Sequence, residues 1–202
     1  MLLSYLVQVN FLGHVFLNPD DDLLLVGNFI ADSVKGDPYK KLPKPIADGV
    51  MLHRMIDSFT DSHEQVKLGV NRFRPTQGRY APVVVDIVYD HILASNWQSY
   101  HQADLSRFVQ DVYERLEQHQ EHFPPKVKAY FPFLKTQNWL YNYQYEWGLL
   151  KSLQGLDKRA SVPTEMYRSV DVYKEHQNAF KHEFSVFVSE AKEQVLRYLG
   201  AE

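Results

Sequence analysis

The chain has 202 residues, no cysteine, and 22 Lys+Arg against 25 Asp+Glu, for a formal net charge of −3 at pH 7. The missing cysteines exclude a disulfide framework, a thiolate zinc site and a thiol nucleophile, and a pI near 6.3 argues against a general nucleic-acid binder. At 45% hydrophobic and 23% charged residues, the composition is that of one globular domain, 1–202, burying roughly 70% of its unfolded surface.

Helical periodicity dominates from the start. A first helix is expected over roughly Leu3 to Leu17. Asp20, Asp21 and Asp22 then supply caps for a second, from about Leu23 to Lys35, which Gly36, Asp37 and Pro38 stop. A Lys- and Pro-rich loop runs to Pro45, which opens a third helix through Ser58. Ser62 with Gln65 three residues later reads as a capping box for a fourth. Gly78 and Pro82 bracket a loop before an apolar helix from Val83 to about Tyr100. Asp104 caps a segment to His122 that Pro124 and Pro125 end. Further helices cover about Lys126 to Asn138, Tyr143 to Ala160, and Thr164 to Leu199, the last broken near His176. Strand alternation is scarce, so the pattern predicts an all-α, single-domain bundle of roughly seven to nine helices. Site motifs fall in 10–91, and groove and scaffold helices in 104–199. No stretch reaches the roughly 20 apolar residues of a membrane span. Met1 to Val9 lacks a basic leader and cleavage site, so the expectation is a cytoplasmic chain with no membrane and no nucleic-acid partner.

The anomaly lies in polar pairs four residues apart: Asn10 with His14, Asn28 with Asp32, His53 with Asp57, and Asp86 with Asp90 followed by His91. Residues four apart stand on one helix face, so each pair offers two ligand-type side chains to one point. Their neighbours are apolar, as in Val83, Val84, Val85, Ile87 and Val88 around Asp86, and a buried, unpaired carboxylate costs several kcal/mol. Only Arg54 and Lys35 lie nearby in sequence as cations. A bound metal ion shared by the pairs is the more economical answer. The alternative is a helical binding module whose acids merely pair with Arg54 and neighbouring amides. Aromatic residues at Trp139, Tyr141, Tyr143, Tyr145 and Trp147 read as core and groove wall. Two basic clusters flank the presumed site: Lys35, Lys40, Lys41 and Lys44, and then Arg72, Arg74 and Arg79. In an acidic chain they point to an anionic substrate or an acidic protein partner.

At these residues the sequence resembles a known family. The segments are Asn10-Phe11-Leu12-Gly13-His14, Gly27-Asn28-Phe29-Ile30-Ala31-Asp32, His53-Arg54-Met55-Ile56-Asp57 with Thr60-Asp61, and Ala81-Pro82 leading to Asp86, Asp90 and His91. They resemble the acyl-carrier-protein phosphodiesterases, a divergent branch of the HD phosphohydrolase superfamily. The resemblance implies an all-helical, HD-like fold and a divalent-metal phosphodiesterase using Mn²⁺, with Mg²⁺ or Fe²⁺ as substitutes. It also implies release of 4′-phosphopantetheine from holo-acyl carrier protein, a small acidic partner.

On this reading His53, Asp57, Asp86, Asp32 and His14 are the metal ligands. A hard or borderline ion suits their carboxylate and imidazole mix. Asp90 or His91 would orient or deprotonate a water or protonate the leaving group, and Arg54 would clamp a phosphate oxygen. Lys35, Lys40, Lys41 and Lys44 would hold the carrier protein. An HD-type hydrolase of a nucleotide or other small phosphoester is the nearer rival. Oligomeric state is left open by the sequence.

Overall fold

The structure is a computed structural model that describes residues 11–162 and 164–200. Among them every regular element is helical: α1 (Phe11–Phe16), α2 (Asp22–Ile30), α3 (Lys44–Ser62), α4 (Glu64–Gln77), α5 (Ala81–Ser95), α6 (Leu105–Gln118), α7 (Pro125–Thr136), α8 (Trp139–Asn142), α9 (Glu146–Asp157), α10 (Ser169–Glu175) and α11 (Gln177–Tyr198). Eight of these run for nine residues or more, within the expected range, and none is long and apolar enough to cross a membrane. The expected first helix and the Asn10–His14 pair extend upstream of the described residues.

Helix α5 is the axis of the core. Val84, Val85, Ile87, Val88 and Ile92 are fully buried, as an apolar run with little polar face requires. Around it, α11 sets Phe180 against Phe73 of α4, with ring centroids 5.0 Å apart. Arg115 of α6 reaches Asp22 at the start of α2 at 2.6 Å, tying the second half of the chain to the first. The crossing of α2 and α3 is closest of all. A Cβ on Gly27 would lie 2.0 Å from the Ile46 carbonyl oxygen, and one on Gly49 would lie 2.3 Å from the Leu24 carbonyl oxygen.

Several element boundaries differ from expectation, each for a local reason. Helix α2 stops at Ile30, and Ala31–Ser33 tightens into a 3-10 turn before Gly36 turns the chain at φ +77°. The expected capping box fails because Ser62 still belongs to α3 and donates to Phe59 O. The cap of α4 is His63, whose Nδ1 accepts from Gln65 N at 3.2 Å. Asp104 occupies the cap position of α6 without its side chain accepting a helix N–H. His176 does break the C-terminal helix, separating α10 from α11.

Candidate metal centre

Helix α3 lays His53, Asp57 and, one turn on, Thr60 and Asp61 along one face. The Gly27–Gly49 contact presses this face against α2, and the residue after Gly27 is Asn28. Asn28 is fully buried. Its amide nitrogen donates to His14 O at 2.9 Å and to Asn18 Oδ1 at 3.2 Å. Its Oδ1 lies 3.1 Å from His53 Nδ1. Because that oxygen can only accept, Nδ1 carries the proton, and His53 Nε2 faces the acids.

Those acids are Asp57, 3.2 Å from His53 Nε2, and Asp32, 3.5 Å away. On the other oxygen of Asp57, 3.2 Å off, is His14 Nε2, delivered by α1. The two imidazoles stack, with centroids 3.9 Å apart and planes 13° from parallel. Ligand atoms of His14, His53 and Asp57 all lie within 4.8 Å of one another. They line a pocket of about 250 Å³ with Asp32, Thr60, Asp61 and Asp86.

The electrostatics follow from this crowding. Burial works to lower the pKa of His53, but Asp32 and Asp57 outweigh it and raise it to about 9. Burial works to raise Asp57, yet the two imidazoles hold it well below the usual carboxylate range. His14 is lowered by burial and by the stacked His53 ring. Asp86 is raised to about 7 by burial and by the neighbouring Asp57, Asp61 and Asp32. A divalent cation fits this donor set: buried imidazoles and a carboxylate converge, further acids face the same space, and His53 has the outer hydrogen bond typical of a ligating histidine. His14 Nδ1 is buried without a hydrogen-bond partner among the described residues.

Other expected site residues are placed elsewhere. Asp90 is buried, and its oxygens accept from Leu12 N at 3.0 Å and Gly13 N at 2.8 Å. It therefore fastens α1 to α5 instead of standing free as a base, with burial pushing its pKa up against those two amides. His91 turns to the far side of α5, where Nδ1 meets Tyr143 O at 2.7 Å and its ring meets Tyr173 edge-on. Arg54 is turned to the backbone after α2: its Nη2 donates to Val34 O and Gly36 O, both at 2.9 Å. It does not pair with the acids, as the binding-module reading required.

The acids themselves are less buried than their apolar neighbours suggested. Asp32 and Asp61 are exposed, and Asp57 and Asp86 are half-buried, because all four open onto the pocket. Lys35, Lys40, Lys41 and Lys44 are exposed on the loop before α3 and at its start. Arg72 lies within α4, bound to the buried Glu183 at 2.6 Å, so it is not part of a basic loop. Asp61, which continues the four-residue spacing from Asp57, had no role from its sequence position, and Asn28, expected with Asp32 as a ligand-type pair, instead orients His53.

Comparison with known proteins gives a consistent result. Residues 9–191 match the family model described as acyl carrier protein phosphodiesterase. The chain is similar to the acyl carrier protein phosphodiesterase of Klebsiella pneumoniae (strain 342), 34% identical over 75% of this chain and 79% of the relative. It is also similar to those of Enterobacter sp. (strain 638), 32% over 75% and 79%, and Yersinia pestis, 29% over 89% and 93%. No solved structure matches the chain.

Proposed function

The chain belongs to the acyl carrier protein phosphodiesterase family, and from that premise we propose that it hydrolyses the phosphodiester joining 4′-phosphopantetheine to a serine of holo-acyl carrier protein. The observation that carries the chemistry is the convergence of His14, His53 and Asp57 within 4.8 Å, with Asp32 beside His53. These four would hold a divalent cation. The mixed imidazole and carboxylate donors suit Mn²⁺, with Fe²⁺ or Mg²⁺ as substitutes.

When bound, such an ion supplies a Lewis acid for the phosphoryl oxygen and acidifies a water. Asn28 keeps His53 in the tautomer that leaves Nε2 free to ligate. Asp61 and Asp86 line the pocket outside the tight cluster. At a carboxylate oxygen either would accept the proton of the attacking water and return it to the departing serine oxygen. Overall the water oxygen joins phosphorus, the P–O bond to serine breaks, and the serine hydroxyl regains a proton. The products are the apo-protein and 4′-phosphopantetheine. Lys35, Lys40, Lys41 and Lys44 offer an exposed positive face to the acidic carrier protein, and a cytoplasmic setting suits that reaction.

The test is release of phosphopantetheine from purified holo-carrier protein. We expect release with Mn²⁺, loss on chelation, and a fall of at least about a hundredfold in Asp57→Ala with helicity retained by circular dichroism. Release that is indifferent to chelator and to Asp57→Ala would refute the proposal.

A further inference from the structure

The metal-centre pocket has an apolar neighbour. A second pocket, of about 40 Å³, shares His14, Thr60 and Asp86 with it. Its other walls are mainly carbon: Leu17 just after α1, Ile56 of α3, Tyr89 of α5, and Phe184 and Phe187 of α11. His14 and Asp86 form the wall shared with the metal centre, and the other polar groups at its edge are engaged. Asp90 accepts from Leu12 N and Gly13 N, and Thr60 Oγ1 donates to Ile56 O at 2.8 Å. The far wall is braced, with Tyr89 packed 5.1 Å from Phe184 and 5.6 Å from Phe187.

At about 10–15 Å³ for each water-sized site, such a space takes about three or four non-hydrogen atoms. The two pockets share His14, Thr60 and Asp86, so the group next to a phosphoester seated at the metal centre is the one brought nearest to it. We propose that this pocket receives a compact, branched alkyl group joined through one methylene to the phosphate oxygen. In 4′-phosphopantetheine that group is the dimethyl-bearing carbon beside the ester CH2. The inference rests on the phosphodiesterase reading and deepens it by saying which side of the diester is gripped. On the serine side, the atoms flanking the ester are peptide N–H and C=O groups. Against the side chains of Leu17, Ile56, Phe184 and Phe187 those find no partner, at a cost of about 1–3 kcal/mol each by mutational measures, so the pantetheine alcohol is the better occupant of the apolar side.

The probes are neopentyl phosphate and methyl phosphate, bound to the full-length protein with Mn²⁺ and followed by calorimetry. Phosphopantetheine release from holo-carrier protein is measured in parallel. The native protein is expected to bind neopentyl phosphate at least about tenfold more tightly than methyl phosphate. Leu17→Phe, which fills the space, should bring that ratio close to one. Ile56→Val enlarges the pocket by one methyl with little risk to folding, and should move the preference toward 2,2-dimethylbutyl phosphate. Equal binding of the two probes by the native protein, or ratios unmoved in both variants, would overturn the inference. If it fails while holo-carrier protein is still hydrolysed, the phosphodiesterase reading stands alone. If neopentyl selectivity holds and responds to the variants while the carrier protein is untouched, the pocket assignment stands and the carrier-protein substrate falls.

Discussion

Asn28 decides the protonation of His53 although it touches no ligand site itself. Its NH2 group is occupied by His14 O and Asn18 Oδ1, so its oxygen must take the His53 Nδ1 proton. The same side chain therefore ties the backbone of one proposed ligand to the ring of another. Outer-sphere hydrogen bonds of this kind typically hold 10–100-fold in metal affinity. Asn28→Ala is accordingly expected to weaken Mn²⁺ binding by about that factor while leaving all proposed ligands in place, as read by calorimetric titration. Unchanged affinity would show that His53 is oriented by packing alone. At this scale the sequence was legible where spacing alone suffices: His53 and Asp57 do meet, and Asp32 joins them at His53 while His14 joins at Asp57. It misled where a residue's partner lies on another element. Nothing in the Asp90-His91 run reveals that one side chain bonds the backbone of α1 and the other a carbonyl near α9. The apolar flanks of Asp86 likewise concealed the pocket onto which it opens.

Among the elements, the α2–α3 crossing positions most of the site, and it depends on two glycines. Alanine is the better helix former by about 1 kcal/mol, so Gly27→Ala and Gly49→Ala would stabilise an isolated helix. Here the added Cβ would fall 2.0 Å from Ile46 O or 2.3 Å from Leu24 O, far inside contact distance and against backbone that cannot rotate away. Each substitution is expected to destabilise the protein by about 2–3 kcal/mol or more in urea denaturation. Metal affinity should fall as well, since separating the helices draws Asn28 away from His53. Stability equal to the native protein would mean that the helices are less closely packed than this crossing requires. Most helices were legible from apolar periodicity, and the mid-helix glycines were visible, but glycine in a helix signals close approach only once its neighbour is known. Boundaries depended on competing local choices. Histidine took the cap of α4 from a better-known capping residue because α3 continued through Ser62, and the chain after Ile30 tightened into a 3-10 turn that no periodicity announces.

For the molecule as a whole, the pocket links folding to pH and to cation binding. Consider the protein stripped of metal. His53, raised to about 9, adds stability that is complete below its ordinary value of 6.5 and is lost as pH climbs through 9. Asp57, held low by the imidazoles, adds stability that is present above its ordinary 3.8 and is lost only in acid. Asp86 acts in the opposite sense. Raised to about 7, it withdraws stability as pH rises from 3.8 through 7, because the unfolded chain gives up that proton more readily. Between pH 6 and 9, then, His53 and Asp86 both make the metal-free protein less stable. A cation competes with the same protons, so its contribution grows across that window. For a chain of this length each kcal/mol moves the melting temperature by about 2–4 °C. The chelated protein is therefore expected to melt about 5 °C lower at pH 9 than at pH 6, and the gap to the Mn²⁺-loaded protein should widen over the same range. His53→Gln should flatten both trends, since it removes the proton for which metal and acids compete. A gap independent of pH in differential scanning calorimetry would show that the bound ion displaces no proton from His53, and would move the ligand set away from this imidazole.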